Sequence, residues 1–359
     1  MDGRFFAILS SVIRPQLVRS FTSAALSPDP DLAVAALMIA RVEYPALNAS
    51  LYLEQLDAIG EEARRRVDDA PATAAEAPPE VDPDRYAKVM ALNEYLFGEM
   101  RFVGNEMHYE DPRNSFLNEV LERRTGIPIT LALIYMEVAR RAGLPVEGVN
   151  FPGHFLIRCP ARHGLPYAED LIIDAFHGGA LISRELLQRR YDARSPFHDH
   201  LGDLSRIESR LLPHATKQQI LARMLLNLKR VYVRMLSFPQ ARDITELLIA
   251  VDPSAINELR DRGLLAYHLK DFPAALRDLQ AYLQLTSSAP LDNDDRHFLY
   301  RLSLSHHIAR HRYCDRSEQY VDLSQLPDSG DSEPRAAPIE VGAEQLVRHE
   351  SVHRLSNGS

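Results

Sequence analysis

Apolar positions recur at helical spacing through most of the first 140 residues. From Asp29 to Pro45, DPDLAVAALMIARVEYP opens on capping residues, carries a dense apolar stripe and stops at a proline, so the pattern predicts an amphipathic helix. LYLEQLDAIGEEARRRV predicts a second, and RYAKVMALNEYLFGEM and NSFLNEVLERR keep the same period. Asp111 should cap the last of these, with Pro112 at a first helical position where a missing N–H costs nothing. PITLALIYMEVARRAG starts at Pro128, closes at Gly143 and is apolar on nearly every face, which predicts a helix in the middle of its domain. The period then changes. VEGVN, HFLIRC and DLIIDAF are short apolar or β-branched runs separated by Pro and Gly, so helices followed by an antiparallel sheet are expected, an α+β arrangement.

Further along, SFPQA at Ser237 to Ala241 recurs as DFPAA at Asp271 to Ala275, an offset of 34 residues with each copy between two helical patterns. A 34-residue helix-turn-helix period resembles the tetratricopeptide repeat, with Gly263 and Ala275 where that family uses small residues to bring helices together. Pro253 closes the first unit, and a third is expected from about Asp292 to Arg312. Between the early helices, DDAPATAAEAPPEVDPD from Asp68 to Asp84 has the prolines, alanines and acids of a linker that buries little. From residue 313 the chain is poor in apolar residues and rich in Ser, Pro and acids, which predicts a disordered tail.

Composition narrows the function classes. With 359 residues, 45% of them hydrophobic and 25% charged, a substantial core is within reach. A formal charge of −9 gives no basic field to gather phosphates, so neither nucleic acid nor an anionic membrane is expected as a partner. The longest apolar runs fall well short of the roughly 18 residues a membrane span requires. Cys159 and Cys314 are the two cysteines and form no metal spacing, which suits a cytoplasmic protein. The acid-poor first 26 residues lack the continuous apolar centre of a signal peptide and are read as a first helix.

Chemistry centres on GVNFPGHFLIRC. His154 opens a strand, and Asp174 ends the run LIID on the next one. An antiparallel neighbour would bring that carboxylate to the ring, where it would fix the tautomer and stabilise an imidazolium. The alternative is a core-edge histidine bonded to a carbonyl. Alternation sends His154, Leu156 and Arg158 to one face and Phe155, Ile157 and Cys159 to the other, so the nearby thiol points away from the ring.

Central helix, RRAGLPVEGV, strand with histidine and strand ending in aspartate, in that order, resemble the transglutaminase-like (papain-related) core. Aligning Arg140 and Gly143 with the arginine and glycine of that family's motif puts Gly126 on its glycine and Pro128 on its nucleophilic cysteine, while His154 and Asp174 match the other two catalytic positions. More narrowly, NSFLNEVLERRTGIPITL and GVNFPGHFLIR, followed by tetratricopeptide-like helices, resemble the bacterial SirB family over roughly Asp29 to Leu285. The resemblance implies a helical N-terminal extension over 1–67, a linker over 68–84, a transglutaminase-like core over 85–205, all-α repeats over 206–312 and a tail over 313–359. It also implies that thiol chemistry is lost, because removing a nucleophile costs on the order of 10⁶ in turnover.

Three readings of the cleft follow. The favoured one is non-enzymatic: a pseudoenzyme whose helix N-terminus, Thr130, Asn150 and Arg158 hold a peptide-like group while the repeats take up a protein partner. Another makes His154 and Asp174 an acid–base pair for a hydrolase or transferase, and a third makes Thr130 a substitute nucleophile. Elsewhere, Glu119 and Arg123 have the spacing of a helical ion pair, and Glu137 on the buried helix requires a partner such as an arginine, the alternative being a catalytic acid. His306, His307 and His311 offer one i, i+4 pair without a third ligand, and DNDDRH lacks the glycine and glutamate of a calcium loop, so no metal or cofactor is expected.

Overall fold

The computed structural model describes residues 15–71, 77–161, 169–183, 186, 187, 189 and 214–286. The expected third repeat, the DNDDRH segment, His306, His307, His311, Cys314 and the tail lie outside them, as do the first fourteen residues. The described residues among 12–231 and 246–252 form one compact unit, and those among 232–245 and 253–286 belong to a second.

Four helices open the first unit. They are α1 (Pro15–Ala25), α2 (Leu32–Ala40), α3 (Ala49–Asp68) and α4 (Pro83–Asn93). Asp31 caps α2 by accepting from Val34 N at 2.9 Å, Asn48 caps α3, and Asp82 caps α4 with Pro83 in its first turn. The stretch expected to bury little does bury Val81 and the cap Asp82, so its C-terminal end is part of the packed structure. Beyond α4 the chain widens into a π-helical turn, Glu94–Glu99.

Where one helix was expected to run on from Pro112 there are two elements. Asp111 caps a 3₁₀ turn, Pro112–Ser115, Phe116 is extended, and α5 covers only Leu117–Arg123. Within α5, Arg123 reaches Asn114 Oδ1 at 3.4 Å and Asp111 at 3.9 Å, and Glu119 hydrogen-bonds the Tyr44 hydroxyl, so competing partners take the place of the Glu119–Arg123 pair that helical spacing predicts. A short parallel ladder joins β1 (Val103–Gly104) to β2 (Thr125–Gly126) and leads directly into α6 (Pro128–Arg141).

Helix α6 is the middle of this unit. Every residue from Pro128 to Ala139 is buried, and α2, α3 and α5 pack against it together with strand β4 of the main sheet. Full burial of each Leu, Ile or Val contributes roughly 1.5–3 kcal/mol, so this one helix supplies a large share of the core. Glu137 finds the arginines it needs in Arg140 at 2.9 Å and Arg141, and Arg141 also reaches Asp57 on α3 at 2.7 Å. Gly143, at φ +74°, ends the helix, and Leu144 N returns to Ala139 O at 2.9 Å.

The main sheet is antiparallel, in the order β3 (Glu147–Phe151), β4 (His154–Cys159), β5 (Leu171–Asp174), β6 (Ala180–Leu181). The first three strands correspond to VEGVN, HFLIRC and the LIID part of DLIIDAF, but Ala175–His177 turns into a 3₁₀ helix instead of continuing the strand. Val149, Phe151, Leu156, Ile172, Ile182 and Leu187 build one apolar cluster on this sheet.

Helices α7 (Lys217–Arg234), α8 (Phe238–Val251), α9 (Ile256–His268) and α10 (Phe272–Thr286) follow. The 34-residue offset seen in the sequence extends to the backbone. Leu236 and Lys270 both take left-handed conformations, with φ of 57° and 61°, and Ser237 N and Asp271 N return to Tyr232 O and Ala266 O, each at 2.9 Å. Within the α9–α10 pair a Cβ on Gly263 would stand 2.7 Å from Leu279, so the small residue sets the helix separation. Among the described residues no helix is long and apolar enough to cross a membrane.

Candidate functional site

His154 is positioned by a two-residue turn. Phe151 and His154 are paired across the β3–β4 hairpin, leaving Pro152 and Gly153 as the loop, and Gly153 at φ +68° supplies the conformation that a Pro-Gly turn demands. Asp174 comes from the end of β5. With Arg158 opposite Ile172, parity puts His154 and Asp174 on one face, and His154 Nε2 donates to Asp174 Oδ1 at 2.8 Å. An ionised carboxylate only accepts, so the proton sits on the ring nitrogen that faces it.

A third residue joins them. Asp174 caps the turn that follows, accepting from Phe176 N at 3.2 Å, and a 3₁₀ turn superimposes side chains three apart. His177 therefore folds back, and its Nδ1 donates to Asp174 Oδ2 at 2.8 Å. Gly178 and Gly179, both at positive φ, then reverse the chain into β6. The spacing Asp174-x-x-His177 was the available signal for this residue, but it has meaning only if the strand ends at Asp174, whereas the apolar pattern carries on through Phe176.

Asp174 is fully buried, His154 is 9% exposed and the His177 side chain is 44% exposed, so the cluster reaches solvent through His177. Burial pushes the Asp174 carboxyl up, but the hydrogen bond and charge of His154, with those of His177, outweigh it and hold the group well below the ordinary carboxylate range. Phe176 stands edge-on to both imidazoles, at 6.1 Å from His154 and 5.2 Å from His177, and Tyr109 packs edge-on against Phe176. Glu106 lies 3.9 Å from His177 Nε2, beside a highly exposed Met107.

The other expected site residues are held elsewhere. Pro128 is the buried first residue of α6. Thr130 is sealed: its Oγ1 donates to Asn114 O at 2.7 Å and accepts from Ile127 N at 3.1 Å, which leaves it neither a nucleophile nor a ligand contact. Asn150 pairs with Phe155, on the opposite face to His154, and accepts from Arg223 Nη1 at 3.0 Å. Arg158 is tied to Glu147 across the hairpin. Cys159 is fully buried and lies beside the Tyr135 phenol. Arg223 on α7, which no sequence signal singled out, also donates to His154 O at 2.8 Å and covers the Phe155 ring, locking the hairpin that carries the histidine.

Comparison with known proteins places this site within recognised boundaries. A family model described as the transglutaminase-like superfamily matches residues 50–226, and a tetratricopeptide repeat model matches residues 228–301. A UPF0162 protein of Xylella fastidiosa strain Temecula1 is 40% identical over 256 residues, which is 70% of this chain and 83% of that protein. The chain belongs to the UPF0162 family. A UPF0162 protein of Pseudomonas aeruginosa is 31% identical over 261 residues, covering 72% of this chain and 85% of that protein. Human F-box only protein 21 is 33% identical over 190 residues, 51% of this chain but 28% of that much longer relative. This UPF0162 chain is thus a transglutaminase-like domain followed by tetratricopeptide repeats, and all three members of the His154–Asp174–His177 cluster fall inside the first.

Proposed function

We propose that this UPF0162 protein is a non-catalytic recognition module, in which the transglutaminase-like domain and the repeats hold a protein or peptide partner in the cytoplasm. The observation that carries this reading is the start of α6. Where the resemblance puts a nucleophilic cysteine the chain has a buried Pro128, and the hydroxyl of Thr130, two residues into the same helix, is committed to backbone on both its donor and acceptor sides. A ring poised by a carboxylate has nothing to activate there. The tetratricopeptide match supplies the positive half, because stacked helix pairs present extended surfaces suited to segments of other proteins. A panel of amidase, transamidase and esterase substrates should show no turnover with the full chain; turnover that His154→Ala abolishes would overturn the reading.

A second reading rests on the 2.8 Å His154–Asp174 hydrogen bond and the burial of that aspartate. It makes the pair a general base acting on water in a hydrolase or transferase of peptide-like substrates. It requires a pH–rate profile governed by one imidazole and a large loss of rate in Asp174→Asn, and equal rates in both single variants would remove it.

A further inference from the structure

We propose that His154, His177 and Asp174 form a binding site for a divalent transition-metal ion of the Zn²⁺ class. The three side chains offer two imidazole nitrogens and a carboxylate oxygen whose atoms all lie within 4.8 Å of one another. Atoms bonded to one such ion at about 2.1 Å stand roughly 3.0–3.4 Å apart, depending on tetrahedral or octahedral geometry. His154 meets Asp174 Oδ1 and His177 meets Asp174 Oδ2, each at 2.8 Å, so these pairs need to open by less than an ångström, while the longest separation, at most 4.8 Å, has to close by up to about 1.4 Å for one ion to take all three ligands.

Donor chemistry decides the class of ion. Imidazole nitrogens select Zn²⁺, Co²⁺ and Fe²⁺ over the hard cations Mg²⁺ and Ca²⁺, which take oxygen. Once bound, two neutral rings and one carboxylate set a single negative charge against the ion, with any imidazolium proton passing to solvent. A ring that binds the ion through the nitrogen now facing Asp174 keeps one proton on its other nitrogen; a neutral ring only changes tautomer, an imidazolium gives its second proton to solvent, and the carboxylate stays ionised. Three protein ligands leave at least one coordination position open, on the side where the half-exposed His177 meets solvent. Phe176, edge-on to both rings, limits their rotation, which is the positioning a metal site requires of its surroundings.

This inference is independent of the recognition reading, which rests on Pro128, Thr130 and the repeats, so either can fail without the other. The test uses the full untagged chain, stripped with chelator and titrated with Zn²⁺ by calorimetry and with Co²⁺ by visible absorption. One equivalent should bind, and His177→Ala, a change at a half-exposed side chain, should weaken that equivalent more than about 100-fold, since outer partners of a metal site alone are worth about 10–100-fold. His214→Ala, at an exposed histidine, should bind as the unaltered chain does. In the unaltered chain, Zn²⁺ should shift the ring NMR signals of His154 and His177, which keeps the test valid if a variant misfolds. Absence of a saturable equivalent overturns the proposal. So does an equivalent that survives in His177→Ala but disappears in the His307→Ala, His311→Ala double variant.

Discussion

At the scale of single residues, burial decides what each polar group does. The Tyr135 hydroxyl is buried inside α6 without a hydrogen-bond partner among the described residues. An unsatisfied buried hydroxyl costs about 1–3 kcal/mol, so Tyr135→Phe is expected to raise stability by about 1 kcal/mol, read from the urea midpoint at unchanged slope. The same burial, joined by the nearby Cys159, pushes the Tyr135 phenol well above its ordinary range. Burial and Glu119 raise Tyr44, and the hydrogen bond to Glu122 with burial pushes Tyr52 up to about 12. For all three the fold favours the neutral phenol. Stability is therefore independent of these phenols below the unfolded tyrosine value of about 10 and falls as pH rises from there through the folded values, where the unfolded chain ionises first. A spectrophotometric titration should show these tyrosines ionising late, together with alkaline unfolding, and Tyr52→Phe should ionise one fewer. The pairing of His154 with Asp174 was legible at this scale because strand parity is a local rule, whereas His177 was hidden by a turn that the apolar pattern gave no reason to expect.

Among the elements, helix ends carry the measurable strain. Gly143 at φ +74° has open space around its missing Cβ, so Gly143→Ala tests backbone conformation alone and should cost about 1–2 kcal/mol. Lys270 takes a similar left-handed conformation without being glycine, and Lys270→Gly should gain about 0.5–1 kcal/mol once the extra freedom of the unfolded chain is deducted. Thermal or urea unfolding of the two variants checks both signs. Long helices were legible because each spans several turns of a repeating pattern and closes on residues with a known capping geometry. The two-residue strands β1, β2 and β6 were not, since a run that short has no period to detect. The break at Phe116 escaped for a related reason: apolar residues suit an extended corner and a helix equally.

For the whole molecule, a net charge of −9 predicts that the full chain passes through heparin and DNA columns at ~0.1 M salt without retention, and retention there would contradict the exclusion of polyanionic partners. By itself the sequence determined the order of the long helices and of strands β3 to β5, the 34-residue repeat and a proline at the start of α6, because capping, periodicity and residue identity act within a few positions along the chain. Which groups share a site was decided only by tertiary structure. The end of β5 brings His177 back onto Asp174, α7 brings Arg223 onto the histidine hairpin, and burial under Asn114 withdraws Thr130 from chemistry. Each of those outcomes depends on distances between segments tens of residues apart or on where a strand stops, and no local pattern encodes either.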